Sequence, residues 1–279
     1  MTAPLALHHF TIADTSPLEL VEIAARAGCD AVCIFVDSPQ EPAPGQAISR
    51  PLFPVVTDAM QREFAGRLKD FGVAVTNIEF FPLAPETDLD VFRDKLALGA
   101  ELGARLAVTH IHDPDPARAT DTLARFGELA AGYELQVGLE FMGLSPACGD
   151  LHTAVGYVRD AGQANIGIAI DALHLYLTGG TAADVAALDE SLIAYAQLCD
   201  SPAYAPEALP LETDRYLEAA FERQVPGEGS LALGDLVGAL PGDTFYDVEV
   251  PLPTLAKQGV SALERARLAV QGARRFTVG

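Results

Sequence analysis

The sequence is organised by apolar runs of strand length that alternate with amphipathic runs of helix length. Eight such apolar runs occur, at residues 5–12, 31–36, 73–80, 105–112, 135–142, 165–171, 192–199 and 244–250. Strands that alternate with helices are typical of a parallel sheet covered by helices, and eight strands are the number that closes a barrel. Because no Pro/Gly/Ser-rich linker divides the chain, we predict an α/β fold: a (β/α)8 TIM barrel that forms a single domain over residues 1–279.

Helix-start signals support this division of the chain. Ser16, Pro17 and Glu19 combine an N-cap, a proline at the first helical position and a capping-box glutamate. Ser261 and Glu264 have the same capping-box spacing before the last predicted helix. The local signals and the periodicity therefore predict the same element order.

Composition limits the partners of the chain. Thirty-nine Asp and Glu residues against 18 Lys and Arg give a formal net charge of −21, which repels nucleic acid. The first residues lack the pattern of a signal peptide and no apolar run is long enough to cross a bilayer, so we expect no membrane partner and a cytoplasmic location. For the oligomeric state, a homodimer is the common expectation. The cysteines show no C-x-x-C spacing and are expected to be small apolar core residues: Cys29, Cys33, Cys148 and Cys199.

Several apolar strands end in a polar side chain. The run IGIAID, residues 166–171, delivers the carboxylate of Asp171, and an unpaired buried charge costs several kcal/mol. The fifth, seventh and eighth strands end in the same way, at Glu140, Gln197 and Glu249. Because the ends of consecutive barrel strands meet at one mouth, we predict that these four side chains converge.

Three convergent carboxylates repel one another unless a positive charge lies between them. One divalent metal ion satisfies this need, and a set of three carboxylates and an amide oxygen favours Mn²⁺ or Mg²⁺. We therefore predict a metal site formed by Glu140, Asp171, Gln197 and Glu249. The structural alternative is that each acid caps a loop or pairs with an arginine.

Five short segments, in their order and strand placement, carry a resemblance to a known family. They are LEFMG (139–143), IDALH (170–174), QLCD (197–200), ERQVPGEG (222–229) and VEVPLP (248–253). Together they resemble the xylose isomerase-like TIM barrel superfamily, the sugar phosphate isomerases and epimerases, over essentially the whole chain. The resemblance implies that Glu140, Asp171 and Glu249 bind a metal, and that Glu140 and Glu249 are also the acid and base on either side of the substrate carbon.

The same resemblance implies roles for three further residues. His174 would contact a substrate oxygen, and Arg223 would contact substrate hydroxyls or the carbonyl, the alternative for Arg223 being an ion pair with a neighbouring loop glutamate, Glu222 or Glu228. Asp200 would support the site from behind the metal ligands. Gln197 is a departure, because most relatives have a metal-binding histidine near this position.

Four other residues near strand ends are candidates for the mouth. His9, Glu79, His110 and His112 could contact the substrate, or could be hydrogen-bonded barrel residues without a role in binding. His8 and His152 are assigned to solvent or loops. The proline-rich loops at 37–54 and 200–212 are predicted to form a wall or lid at this end of the barrel.

These residues predict chemistry that begins with proton abstraction next to a metal-bound carbonyl. Returning the proton isomerises or epimerises the substrate, whereas expelling a β-oxygen substituent eliminates water. We predict a metal-dependent isomerase or epimerase of a small sugar or keto-polyol, so the expected partner is a small polyhydroxy molecule. The alternatives are a dehydratase or lyase acting on a cyclic keto-polyol, similar to inosose or dehydroshikimate dehydratase, and a non-catalytic sugar-binding barrel, which Gln197 would permit.

Overall fold

A computed structural model of the chain describes residues 3–42 and 49–277, and it contains a closed barrel of parallel strands. The barrel strands are Leu5–His8 (β1), Ala31–Phe35 (β2), Ala74–Leu83 (β3), Leu106–Ile111 (β4), Gln136–Glu140 (β5), Ile166–Asp171 (β6), Ile193–Leu198 (β7) and Tyr246–Val248 (β8). Each pairs in parallel with its neighbours in the chain, and β8 pairs with β1 to close the barrel. The predicted (β/α)8 TIM barrel is confirmed.

Helices connect the strands and cover the outside of the barrel. The α-helices are Pro17–Ala27 (α1), Gln61–Phe71 (α2), Arg93–Glu101 (α3), Pro116–Ala131 (α4), Leu151–Ala161 (α5), Ala172–Leu177 (α6), Ala182–Ala186 (α7), Thr213–Phe221 (α8), Leu233–Ala239 (α9), Pro253–Lys257 (α10) and Ala262–Thr277 (α11). Short 3-10 helices lie at His9–Ile12, Asp58–Met60, Leu89–Phe92, Glu190–Leu192 and Pro206–Ala208. Over the described ranges, none of these helices is both long enough and apolar enough to span a membrane.

The predicted capping signals position the helices. The Ser16 side chain accepts from the Glu19 backbone N–H, and the Glu19 carboxylate accepts from the Ser16 N–H, so α1 begins with the predicted capping box. Before α11, the Glu264 N–H donates to the Ser261 hydroxyl. At α6 the N-cap is Asp171, whose carboxylate accepts from the first turn of the helix.

Apolar residues fill two regions of the molecule. The larger core lies between the strands and the helices, where the outward face of the barrel packs on α1, α4, α5 and α11. A smaller cluster of Leu106, Val108, Ala169 and Tyr195 fills the barrel interior. Val108, Ala169 and Tyr195 each precede a polar strand-end residue by two positions, so they face inward beneath it. On the side of β4, β6 and β7, the barrel interior beneath the polar strand ends is therefore lined by these apolar side chains.

The first strand is shorter than the predicted run. It ends at His8, whose side chain accepts from the Phe10 N–H, and the chain continues as the 3-10 helix His9–Ile12. In the long loop predicted to be a wall or lid at 37–54, residues 43–48 lie outside the described residues. Beyond them, the Phe53 ring stacks on Phe35 at the end of β2, with ring centroids 4.5 Å apart.

Candidate active site at the mouth of the barrel

The carboxyl ends of the strands bring buried polar side chains together at one mouth, because parallel strands all end at the same rim. The buried side chains from successive strands are Glu79, His110, Glu140, Asp171, Gln197 and Glu249. The four predicted metal ligands lie within this group, on neighbouring strand ends.

Glu140 lies between two histidines, and we name His110, Glu140 and His174 the histidine half of the mouth. His110 Nε2 is 2.6 Å from Glu140 Oε2, and His174 Nε2 is 3.6 Å from Glu140 Oε1. Burial, with the nearby charges of Glu79 and Asp171, raises the pKa of Glu140 well above its usual range. Burial also lowers the pKa of His110 and lowers that of His174 to about 4. This half therefore pairs a carboxyl that readily keeps its proton with imidazoles that stay neutral.

Asp171 has two structural partners. Its Oδ1 accepts from the N–H groups of Leu173 at 2.6 Å and His174 at 3.1 Å, and its Oδ2 accepts from Arg223 at 2.7 Å. Burial acts to raise the pKa of Asp171, but the Arg223 guanidinium and the His174 contacts hold it well below its usual range. The alternative to a metal site was that each acid caps a backbone segment or pairs with an arginine. Asp171 does both, because it caps α6 and pairs with Arg223, and it remains ionised.

On the other side of the mouth, Gln197, Arg223 and Glu249 form what we name the arginine half. Gln197 Nε2 donates to Glu249 Oε2 at 3.0 Å, and an Arg223 guanidinium nitrogen is 3.1 Å from the same oxygen. Burial raises the pKa of Glu249 to about 8, although Arg223 and His8 oppose the shift. Arg223 thus pairs with Asp171 and Glu249, and the alternative pairing with Glu222 or Glu228 is wrong.

Asp200 holds the loop that carries Arg223. Its Oδ2 accepts from the Gly227 N–H at 2.9 Å, and its Oδ1 accepts from the N–H groups of Ser201 at 2.9 Å and Leu231 at 3.0 Å. A side chain at Gly229 would overlap the Asp200 carboxylate, which explains the glycine there. Asp200 therefore fixes the backbone of this loop, and its support of the metal ligands stays a prediction.

The assignment of His8 to solvent or a loop is wrong. His8 is fully buried, with Nε2 3.1 Å from Glu79 Oε1 and Nδ1 3.8 Å from Glu249 Oε1. Burial acts to lower the pKa of His8, but the carboxylates of Glu79 and Glu249 raise it to about 10. His8 is a cation only when both ring nitrogens carry a proton. A proton on Nδ1 would displace the hydrogen bond that Nδ1 accepts from the Phe10 N–H at 3.1 Å. β1 ends at His8, four residues before the end of the predicted run, and the 3-10 helix that begins at His9 directs the His9 ring to the Thr15 carbonyl, so His8 is the histidine beside the acids.

The other two histidine candidates are peripheral to the acids. His9 Nε2 donates to the Thr15 carbonyl at 3.2 Å, and burial lowers the pKa of His9 to about 3. His112 is exposed, with its ring centroid 6.3 Å from that of His110. His152 is exposed on α5, as expected. The structure therefore uses His9 to brace the loop that leads to α1, and leaves His112 at the outer rim.

Beneath the mouth lies a second polar layer that the sequence did not identify. Asn77 Nδ2 donates to Asp247 Oδ2 at 2.7 Å, and burial raises the pKa of Asp247 to about 7. Ligand atoms of His8, Cys33 and Asp247 lie within 4.8 Å of one another. This group is poorly suited to a cation, because the Nδ1 lone pair of His8 accepts from backbone and its Nε2 faces Glu79.

Three ligand atoms at the mouth, from Glu140, Asp171 and His174, lie within 4.8 Å of one another, which is close enough to share a cation. Gln197 Oε1 is buried and has no hydrogen-bond partner within residues 3–42 and 49–277, so one ligand oxygen is free. Arg223 offsets part of the charge of Asp171 and Glu249, but Glu140 has only neutral histidines beside it. A cation among these oxygens would stabilise the ionised glutamates.

Comparison with known proteins agrees with this architecture. The family model described as xylose isomerase-like TIM barrel matches residues 21–266. The sequence is 31% identical to a 3-dehydroshikimate dehydratase of Pseudomonas aeruginosa over 126 residues. This match covers 45% of this chain and 18% of the dehydratase. The chain thus spans less than a fifth of the length of that curated relative.

Solved structures share the fold. The IolI protein, solved with a bound zinc atom, superposes with a TM-score of 0.77 at 16% identity, covering 99% of this chain and 98% of IolI. D-allulose 3-epimerase from Methylomonas sp. superposes with a TM-score of 0.69 at 13% identity, again over 99% of this chain and 98% of that one. At these identities the superpositions show a common barrel.

Proposed function

Because the chain belongs to the xylose isomerase-like TIM barrel family, we propose that it is a divalent-metal-dependent isomerase or epimerase of a small sugar or keto-polyol. One observation carries the proposal: two buried glutamates, Glu140 and Glu249, lie on two sides of one mouth, each with a raised pKa. A raised pKa lets a buried carboxyl hold a proton and give it to a substrate carbon, and Glu249, with its pKa raised to about 8, can also lose its proton near neutral pH. The epimerase among the solved relatives supports the same class of reaction.

In this proposal Glu140, Asp171, Gln197 and Glu249 hold the metal, which we take to be Mn²⁺ or Mg²⁺ because all four donors are oxygens. A cation held there would supply polarisation of a substrate carbonyl, which would make the neighbouring C–H more acidic. The zinc atom in the IolI structure supports a metal centre in this fold.

The chain's own residues move the proton. One glutamate, as a carboxylate, removes the proton from the substrate carbon, and the other, as a carboxylic acid, returns one. Glu140 can exchange its proton with His110 at 2.6 Å, whereas Glu249 is held in place by Gln197 and Arg223. We therefore assign Glu249 as the positioned base and Glu140 as the acid, with the roles reversed for the reverse reaction.

A dehydratase or lyase is the second candidate, and one observation favours it. His174 lies 3.6 Å from Glu140, whose raised pKa lets it keep a proton, so Glu140 can protonate a departing hydroxyl while the His174 ring contacts the same oxygen. The partial match to a 3-dehydroshikimate dehydratase supports this candidate, with a cyclic keto-polyol as the substrate class. Both candidates share the first proton abstraction and differ in the second step, which is either return of a proton to carbon or loss of the hydroxyl.

The test is substrate proton exchange in D₂O with Mn²⁺ or Mg²⁺ present, measured by NMR and mass spectrometry. The substrates tested are keto-sugars, cyclic keto-polyols and 3-dehydroshikimate. Proton exchange with formation of an isomer indicates an isomerase or epimerase, whereas loss of water indicates a dehydratase. Glu140→Gln and Glu249→Gln should each slow exchange by about 10²- to 10⁴-fold. Glu63→Gln, on the exposed side of α2, is the matched control and should retain full activity. Ligand binding with no exchange for any substrate would contradict the proposal and favour a sugar-binding barrel.

A further inference from the structure

A tyrosine outside the predicted site contacts one of its histidines. Tyr216 is fully buried on α8, and its hydroxyl is 2.6 Å from His174 Nδ1. The same hydroxyl accepts from the Gly143 N–H at 2.8 Å. The two rings lie nearly parallel, with an interplanar angle of 10° and centroids 5.7 Å apart. A side chain at Gly143 would come within 2.5 Å of the Tyr216 ring, so the glycine allows this approach.

The contacts determine which atom holds the proton between Tyr216 and His174. The hydroxyl oxygen already accepts from Gly143, and its own proton is buried, so it needs an acceptor. His174 Nδ1 is the acceptor within reach. If Nδ1 donated instead, the phenolic proton would be buried without a partner, at a cost of about 1–3 kcal/mol. The hydroxyl therefore donates to Nδ1, and the ring proton of His174 is on Nε2.

We propose that Tyr216 is a positioning residue that fixes His174 as the neutral tautomer with its proton on Nε2. In this state the one N–H of the His174 ring points from Nε2 towards the side of Glu140, 3.6 Å away. The consequence for catalysis rests on the proposed function: this N–H is the donor to a substrate oxygen or to a leaving hydroxyl.

The position of this proton also decides whether His174 donates a hydrogen bond or binds a metal. Ligand atoms of Glu140, Asp171 and His174 lie within 4.8 Å of one another, a spacing that would also suit a shared cation. A metal needs the Nε2 lone pair, which is absent while Nε2 carries the proton. Tyr216 therefore keeps His174 as a donor, and the metal ligands remain the four oxygen donors at the strand ends.

Nitrogen NMR of ¹⁵N-histidine-labelled protein, with Mg²⁺ as the added metal and no substrate, tests the tautomer directly. His174→Gln identifies the signals. In the wild type, we expect His174 to show a protonated Nε2 and an unprotonated Nδ1. Tyr216→Phe removes the donor, and we expect the ratio of the two tautomers to fall about tenfold. The matched control is Tyr195→Phe, which removes another fully buried hydroxyl, one with no hydrogen-bond partner in the described part of the chain, and it should leave His174 unchanged.

Two results would overturn the proposal: a wild-type His174 with its proton on Nδ1, or the same tautomer ratio in Tyr216→Phe as in the wild type. The first needs no variant, so the test survives if Tyr216→Phe fails to fold. Once a substrate is known, Tyr216→Phe should lower kcat about tenfold and change KM by less than about twofold. An unchanged kcat with the expected NMR result would contradict the catalytic role alone. Failure of every substrate to exchange would contradict the proposed function and leave the tautomer assignment intact.

Discussion

The two halves of the mouth are built around the same residue type but differ in what surrounds it. Glu140 and Glu249 are both buried glutamates near the ends of barrel strands, and both have a raised pKa. In the histidine half the carboxyl contacts neutral imidazoles, whereas in the arginine half it contacts a permanent cation and an amide.

This difference separates proton transfer from charge compensation. A neutral imidazole can exchange a proton with a carboxyl, but a guanidinium does not give up its proton in proteins. The histidine half is therefore equipped to move protons, and the arginine half to hold a carboxylate in one orientation. A site with two identical halves could not assign an acid and a base to different glutamates.

The largest expected effect comes from removing the fixed cation. Arg223→Met leaves Asp171 and Glu249 without their partner, and we expect a loss of about 3–5 kcal/mol in the free energy of unfolding. His110→Gln removes only a neutral partner of Glu140 and should cost less than about 2 kcal/mol. Urea unfolding of both variants with a chelator present measures the difference, and equal losses would show that the two halves are not distinct.

Metal binding should release a proton from Glu249, the glutamate that we assign as the base. Because the pKa of Glu249 is raised to about 8, a divalent ion competes with a proton on Glu249 at neutral pH. We expect the Mn²⁺ affinity to rise by up to about tenfold per pH unit per displaced proton between pH 6 and 8. Calorimetry in two buffers of different ionisation enthalpy counts these protons. Glu249→Gln should release fewer protons than the wild type, and an equal release would contradict the assignment.

The neutral histidine half predicts a loss of stability in acid. The pKa of His174 is lowered to about 4, whereas a histidine in the unfolded chain titrates near 6.5. As pH falls, the unfolded state therefore binds a proton before the folded state does. The stability that neutral His174 contributes above pH 6.5 is lost as pH falls towards 4, and the free energy of unfolding decreases by up to about 1.4 kcal/mol per pH unit. His174→Gln should flatten this part of the unfolding profile, whereas the exposed His152→Gln should retain it.

The smallest effect is expected at Gln197, the departure from the family pattern. Gln197→His places an imidazole in the arginine half, and we expect it to favour Zn²⁺ over Mn²⁺ by about tenfold, because zinc prefers nitrogen ligands more strongly. Competition between the two metals, read by metal analysis after dialysis, gives the ratio. Gln197→Leu is the control, since it should weaken both metals, and an unchanged ratio in Gln197→His would argue that residue 197 is not a ligand.

Local patterns in the sequence determined the barrel and the positions of its strand-end acids. Strand and helix periods, together with the capping box at Ser16, depend on residues close in the chain, so the order of elements could be predicted. The alternation along β5 and β6 also placed Glu140 and Asp171 at the mouth. Local patterns do not mark the end of β1, because His8 and His9 are both compatible with a strand, and only the turn that His8 caps decides which one faces inward.

The partners of those acids were decided by the tertiary structure. Arg223 lies 52 residues from Asp171, and Tyr216 lies 42 residues from His174. No local pattern marks such pairs, because they form only when the loop held by Asp200 and the helix α8 pack against the barrel. Their pKa values depend on burial and on charges that the whole fold brings together, which periodicity does not report. The sequence by itself therefore determined which strand-end acids reach the mouth, and the packed structure decided which histidines join them and which groups are charged, neutral or paired.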